Sequence, residues 1–303
     1  MTVSFTILAL LAFAANSLLC RLALRGGAID PASFTVVRLV AGAVMLVVVG
    51  MIKTHRTHRT RRTHRTDKTH RTRRTLRTEA LLPALMLFVY AAGFSFAYVG
   101  VSAGTGALIL FGAVQVTMLV VAMARGERLG LIQWAGLAAA VGGITWMVLP
   151  GLEAPSPISG ALMVTAGAAW GLYSVHGRGS PDPLGQTRRN FILTLPLAAV
   201  LGLAWLPRLQ ASRTGLLLAV ISGAVTSGLG YVIWYRALRG LSGVAAALVQ
   251  LATPVLAAIG GILFLSEPLG SRLVISTLLV LGGIGVAILS KERAAPSGLN
   301  AAR

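Results

Sequence analysis

One arginine lies inside a long apolar segment near the amino terminus of this 303-residue chain. Phe, Val, Leu and Ala residues surround Arg38 on both sides. A charge in such a segment extends its stem to water, pairs with a polar neighbour, or contacts a ligand directly. Arg38 is therefore a candidate functional residue, and all three roles are open to it.

A second candidate combines an amide side chain with a proline in an apolar segment near the carboxyl terminus. Pro254 has no N–H, and its ring crowds the carbonyl of Gln250, the residue four positions earlier. A helix here offers a freed backbone acceptor beside a side-chain amide. Gln250 either bonds to a neighbouring helix at a simple kink or faces a substrate. Pro196 offers a similar kink, so Pro196 and Pro254 are predicted hinges.

Aromatic and amide side chains recur at deep positions of other apolar segments. The aromatic residues predicted to line a cavity are Tyr90, Phe94, Trp170 and Tyr231. Three others lie near predicted helix ends and fit an aromatic belt at the membrane surface: Tyr98, Trp234 and Tyr235. Two amides lie in mid-segment, where they join helices or contact a substrate: Asn16 and Gln115.

Acidic residues fall in or beside loops and never inside an apolar segment. Proton-driven pumps for cations usually need a buried carboxylate, so the expected substrate is a small neutral or zwitterionic molecule. Glu127 and Glu267 end corresponding helices and are predicted gate residues. No paired carboxylates, Ser/His/Asp set or metal-ligand spacing occurs within the apolar segments. We therefore expect no enzymatic activity, cofactor or metal.

These residues must be positioned by helices that cross a membrane. The chain is 55% hydrophobic and 12% charged, with a mean hydropathy of +0.79, which excludes a water-soluble domain. Apolar runs bounded by glycine, proline and charge predict ten helices, at about 3–24, 32–52, 80–100, 104–123, 131–149, 158–176, 188–206, 214–235, 242–265 and 271–290.

Basic residues concentrate in one low-complexity insert, residues 53–79, which holds 11 of the 27 lysines and arginines. Threonine recurs at every third position, and the near absence of apolar residues predicts a disordered loop. Four histidines occur without a cysteine or carboxylate cluster, so a metal site is not expected. The insert is expected to lie near anionic lipid headgroups. The net charge of +19 could indicate a protein that binds nucleic acid. Ten apolar segments argue against that interpretation.

The distribution of lysine and arginine also predicts the orientation of the chain. Cytoplasmic loops of membrane proteins carry an excess of these residues. With a cytoplasmic amino terminus, 21 of the 27 lie on the cytoplasmic side. A multi-pass membrane protein is expected, with both termini in the cytoplasm.

An internal repeat organises the ten segments. Residues 97–149 aligned without gaps on residues 237–289 match at twelve of 53 positions, including a shared Glu-x-Leu-Gly at the same helix end. The predicted halves, residues 1–150 and 151–303, hold five helices each. Because five is odd, the second half enters the membrane inverted. Inverted repeats with a site at their interface are typical of alternating-access transporters.

Three short motifs carry a family resemblance. Residues 34–41 read Phe-Thr-Val-Val-Arg-Leu-Val-Ala, and Gly-Glu-Arg-Leu at 126–129 precedes Gln-Trp-Ala-Gly at 133–136. Val-Gln-Leu-Ala-Thr-Pro-Val-Leu-Ala at 249–257 precedes Leu-Ser-Glu-Pro-Leu at 265–269. These motifs resemble the ten-helix EamA branch of the drug/metabolite transporter superfamily. Residues 170–174 and 231–238 are most similar to its bacterial amino-acid exporters of the YddG type.

The resemblance implies an all-α integral membrane protein of two inverted five-helix repeats. The implied function is export of a small metabolite, with an aromatic amino acid as the leading example. A channel-like facilitator and a drug exporter are the alternatives, and an integral membrane enzyme is disfavoured. The sequence leaves open whether the protein is a monomer or a homodimer.

Overall fold

The computed structural model describes residues 2–58, 73–149, 151, 154–177, 180–241 and 243–294. Most of these residues are helical. The α-helices are α1 (Thr2–Arg25), α2 (Pro31–His58), α3 (Arg73–Ala97), α4 (Ala103–Ala124), α5 (Leu131–Val148), α6 (Pro157–Gly177), α7 (Pro183–Trp205), α8 (Arg213–Ile221), α9 (Gly230–Leu238), α10 (Gly243–Gln250), α11 (Ala252–Leu265) and α12 (Ser271–Ala294). A 3₁₀ turn (Leu206–Arg208) follows α7, and a π-helical segment (Ser222–Leu229) joins α8 to α9.

The helices form ten membrane-spanning segments, as the sequence predicts. Spans 1–7 correspond to α1–α7, span 8 is Arg213–Leu238, span 9 is Ala245–Leu265, and span 10 corresponds to α12. Among the described residues, nine helices are long and apolar enough to cross a membrane. The apolar part of span 3, Leu81–Ala97, is shorter. The protein is therefore an all-α, multi-pass membrane protein.

The two halves of the chain pack in matched pairs of spans. Span 3 packs on span 6, and its counterpart in the second half, span 8, packs on span 1. In the same way, span 4 packs on span 6, and its counterpart, span 9, packs on span 1. Spans 2 and 7, 4 and 9, and 5 and 10 each pack against their own counterpart. A pseudo-two-fold axis in the membrane plane produces this exchange of partners. The fold is thus two inverted five-helix repeats, while the boundary at residues 150 and 151 stays a prediction.

The insert differs from the predicted loop at both ends. Helix α2 continues to His58, beyond its predicted end at residue 52, and α3 already begins at Arg73. Extending an existing helix adds a hydrogen bond per residue without a new nucleation step, so threonine-rich and arginine-rich ends continue their spans. The prediction of a disordered loop is wrong for these ends. Its central part, residues 59–72, lies outside the described residues.

Glycines allow spans from opposite halves to approach closely. A Cβ atom added to Gly223 in span 8 would lie 2.2 Å from the backbone oxygen of Arg38 in span 2. A Cβ atom on Gly136 would lie 2.4 Å from the backbone oxygen of Gly283, where spans 5 and 10 meet. Close backbone approach through small residues is a common way for membrane helices to associate.

Candidate functional site

A cavity of about 540 Å³ lies between the two halves. It reaches the loops between spans 6 and 7 and between spans 8 and 9, at residues such as Ser180 and Arg239. Because successive spans alternate in direction, these loops lie at the end of the bundle where α1 begins. We call this the open end. The amide of Gln115 lines the cavity beside Met118, so this predicted residue does belong to it.

Aromatic rings form the deep wall of this cavity. The rings of Tyr90 and Trp170 have centroids 4.7 Å apart, and those of Trp170 and Tyr231 are 5.1 Å apart. Tyr173 stacks on Trp170 at 5.2 Å, and Phe94 contacts Tyr90 at 5.5 Å. The four aromatic residues predicted as cavity walls therefore form one chain of ring contacts, in which Trp170 and Tyr231 line the open cavity and Tyr90 and Phe94 lie behind them.

A second, narrow cavity of about 20 Å³ lies behind these rings. Trp170, Tyr231 and Gln250 line both spaces, so the narrow cavity continues the open one. Its volume is about that of one water-sized probe. Asn16 and Ser17 of span 1 and Ser227 of span 8 supply polar groups to its wall.

Arg38 lies directly behind the narrow cavity. Its Nη2 donates to the hydroxyl of Tyr90 at 2.9 Å, and its Nε donates to the Ser227 hydroxyl at 3.3 Å. The guanidinium carbon lies 5.2 Å from the Tyr90 ring centroid and 4.8 Å from that of Phe94. Only 2% of Arg38 is exposed. The interpretation in which its stem extends to the membrane surface is therefore wrong.

The charge of Arg38 has hydroxyl and aromatic neighbours but no carboxylate partner in the described part of the chain. Among the described residues, no ion pair involves this side chain, and its buried Nη1 has no hydrogen-bond acceptor. A buried cation is normally paired, because an unmade hydrogen bond to a charged group is costly. The arrangement therefore leaves donor capacity for a negatively charged group.

The π-helical segment of span 8 positions the polar groups around Arg38. The Ser222 hydroxyl donates to Asn16 Oδ1 at 2.7 Å, and the Thr226 hydroxyl lies 3.1 Å from the same oxygen. Asn16 thus both joins spans 1 and 8 and lines the narrow cavity. The wider turn also places Ser227 against Arg38. Such segments often occur at functional sites, and nothing in the sequence analysis predicted this one.

Span 9 is interrupted next to Gln250. Helix α10 ends at Gln250 and α11 begins at Ala252, with the Leu251 N–H bonded to the Leu248 carbonyl at 3.1 Å. The break lies where the ring of Pro254 crowds the helix. By contrast, α7 continues through Pro196. The hinge roles of both prolines stay predictions.

The opposite end of the bundle is closed by a network around Glu267. Arg21 Nε donates to Glu267 Oε1 at 3.0 Å, and the Ala103 N–H donates to Glu267 Oε2 at 2.8 Å. Arg21 Nη1 also donates to the carbonyls of Tyr98 and Val99, at 2.9 and 3.0 Å. These contacts connect span 1, the loop before span 4 and the loop after span 9. We call this the closed end.

The other predicted gate residue, Glu127, lies elsewhere. It is exposed in the turn between α4 and α5, at the open end of the bundle. The internal repeat aligns it with Glu267. The structure therefore places the two aligned glutamates at opposite ends, as inversion of the repeats requires.

The sequence misplaced several aromatic residues. Tyr98 is fully buried, and Trp234 and Tyr235 line the open cavity. The assignment of these three residues to a membrane-surface belt is wrong, because position near a helix end does not say which face the side chain takes. The part of the cavity wall formed by span 6 could have been predicted from Tyr173. This residue lies one helical turn from Trp170 and therefore on the same face of the helix.

Comparisons with known proteins agree with this fold. A model of the EamA-like transporter family matches residues 1–149 and 158–289. An uncharacterized protein of Pseudomonas aeruginosa is 48% identical over 299 residues, which cover 98% of each chain. A protein of known crystal structure has the same fold, with a TM-score of 0.63 and 20% identity over 97% of this chain and 99% of its own. The chain belongs to the EamA-like transporter family of the drug/metabolite transporter superfamily, and is a membrane transporter.

Proposed function

We propose that this protein is an alternating-access carrier that exports a small neutral or zwitterionic metabolite, with an aromatic amino acid as the leading candidate. The observation that carries the proposal is the aromatic cavity of about 540 Å³ between the halves, open at one end and closed at the other. A static pore would be continuous between both ends.

The chemistry of the cavity wall supports this class of substrate. The rings of Trp170, Tyr173 and Tyr231 line the open cavity and offer faces for a flat apolar group. Gln115 and Gln250 offer amides that both donate and accept. Among the described residues that line the two cavities, none is Asp or Glu, which disfavours a cationic drug.

The repeat supplies a second state for the transport cycle. Exchange of the conformations of the two halves would close the open end and open the closed end. In that state Glu127 would take the role that Glu267 has here. Kinks at Pro196 and Pro254 would absorb the motion.

The proposed location is the bacterial inner membrane, with both termini in the cytoplasm. The open end then faces the cytoplasm, where an exporter collects its substrate. The insert would lie on the same side, near anionic headgroups.

Counterflow in proteoliposomes tests the proposal. Vesicles containing the purified protein and loaded with unlabelled phenylalanine should accumulate labelled phenylalanine transiently, with a rate that saturates. Empty vesicles treated in the same way serve as the control. Uptake that rises linearly with concentration and shows no transient accumulation would indicate a channel and would overturn the proposal.

A further inference from the structure

We propose that Arg38 binds the carboxylate of the transported molecule, so that the site selects aromatic monocarboxylates and does not require their ammonium group. This inference rests on the proposed function: it names the group by which a zwitterionic substrate is held, and it extends the substrate class to anions that keep this carboxylate. It assigns a ligand to a buried charge that no other group in the described part of the chain neutralises.

The first argument is the unsatisfied donor capacity of the guanidinium. Arginine presents five N–H donors in a planar fork that matches a carboxylate. Here Nε and Nη2 donate to the hydroxyls of Ser227 and Tyr90, and Nη1 is buried without an acceptor. Hydroxyls satisfy a cation less well than an anion does. A purely structural arginine would be expected to have every donor satisfied.

The second argument is the position of Arg38 relative to the cavities. Tyr90, Phe94 and Ser227 contact its guanidinium, and all three line the narrow cavity. That cavity continues the open one past Trp170 and Tyr231. An aromatic body stacked against these rings would direct its polar end towards Arg38. Because the narrow cavity holds about one water, entry of a carboxylate requires the Tyr90 hydroxyl to move aside.

The third argument is the charge of the remaining wall. Of the described residues lining the two cavities, Arg239 is the one with a full charge, and it lies at the open end. Together with Arg38 behind the narrow cavity, it places a positive charge at each end of the path. An anionic head is attracted along this path. An ammonium group meets amides, hydroxyls and ring faces but no carboxylate among the described lining residues, so we expect it to contribute less to selection than the carboxylate does.

Binding of four probes with one ring scaffold tests the inference. The wild-type protein in lipid nanodiscs is titrated at pH 7 with phenylalanine, 3-phenylpropionate, phenylalaninamide and phenethylamine. The two carboxylates should bind with Kd values within about threefold of each other, and the amide and the amine at least about tenfold more weakly. Equal or tighter binding of the amide or the amine would overturn the assignment, as would absence of binding by all four.

Two variants separate carboxylate binding from a structural role. Arg38→Gln should reduce affinity for both carboxylates by about tenfold or more while leaving the amide unchanged. Tyr90→Phe keeps the ring, frees Nη2 and removes the hydroxyl that must move aside, so both carboxylates should bind more tightly relative to the amide; weaker binding of the carboxylates would contradict the inference. Equal weakening of all four probes by Arg38→Gln would contradict the inference.

A second variant applies if Arg38→Gln does not fold. Arg38→Lys should keep the order of affinities among the four probes but bind the carboxylates more weakly, because lysine lacks the planar fork of N–H donors. Loss of that order would contradict the inference.

Failure of this inference is distinguishable from failure of the proposed function. Saturable counterflow of a solute without a carboxylate, unaffected by 3-phenylpropionate, would overturn the role of Arg38 and keep the carrier. Absence of counterflow with every solute would instead remove the proposed function.

Discussion

Gln250 lines both cavities, together with residues of the aromatic wall. It ends α10 directly before the break in span 9 and is partly buried. Gln250→Ala should raise the KM for transport by about 2- to 10-fold, the equivalent of one lost hydrogen bond, with little change in folding. Transport kinetics at varied substrate concentration measure this effect.

A second glutamine provides the matched control for Gln250. Gln133 is buried at the start of α5, where its Oε1 accepts from the Gly130 N–H at 2.8 Å. Gln133→Ala should reduce stability without changing KM. Wild-type kinetics in Gln250→Ala would remove Gln250 from the site.

At the residue scale, the sequence predicted which polar side chains are buried better than it predicted where the aromatic rings lie. Mid-segment polar groups such as Asn16 and Gln115 are buried because an amide facing lipid is costly. The rings of Tyr98 and Trp234 were misassigned, because depth along a helix does not determine rotation about its axis. That rotation follows from packing between spans distant in sequence, which no local pattern contains.

The contact of span 8 with span 2 holds Ser227 against Arg38, and it depends on the absence of a side chain at Gly223. A Cβ atom there would lie 2.2 Å from the Arg38 backbone oxygen. Gly223→Ala should therefore lower the free energy of unfolding by about 1–3 kcal/mol, the usual cost of overpacking. Unfolding of the detergent-solubilised protein measures the change.

A glycine in an open environment controls for helix propensity. Nothing lies within 4 Å of a Cβ atom added to Gly282, which is exposed in α12. Gly282→Ala should leave stability unchanged or slightly higher, since alanine favours helix. Equal stability of the two variants would show that spans 2 and 8 tolerate separation at this point.

At the element scale, the ten spans were predictable because apolar length and punctuation by glycine, proline and charge report directly on membrane crossing. The break beside Gln250 was indicated by Pro254. The π-helical segment of span 8 was not, since its residues Ser222–Leu229 contain no proline. Its hydrogen bonds to Asn16 and Arg38 join residues far apart in sequence.

At the scale of the whole molecule, the account depends on the inverted halves opening one end at a time. The closed end depends on Glu267, which bonds Arg21 and the start of α4. The open end contains Glu127, its counterpart in the repeat. Loss of Glu267 should therefore shift the population towards the state that is open at the other end.

Labelling of single cysteines by a membrane-impermeant maleimide measures this shift most directly. The one native cysteine, Cys20, is buried and is replaced by alanine. One reporter is Ser17→Cys in the narrow cavity, one helical turn before Arg21 and labelled from the closed end. The other reporter is Ser174→Cys in the open cavity, labelled from the open end.

Without further change, Ser174→Cys should label and Ser17→Cys should not. Adding Glu267→Ala should increase labelling of Ser17→Cys and reduce labelling of Ser174→Cys by a similar fraction. Adding Glu127→Ala, the matched control, should leave Ser17→Cys unlabelled. A simultaneous increase at both reporters, or no change at either with Glu267→Ala, would contradict an account in which the two ends open in alternation.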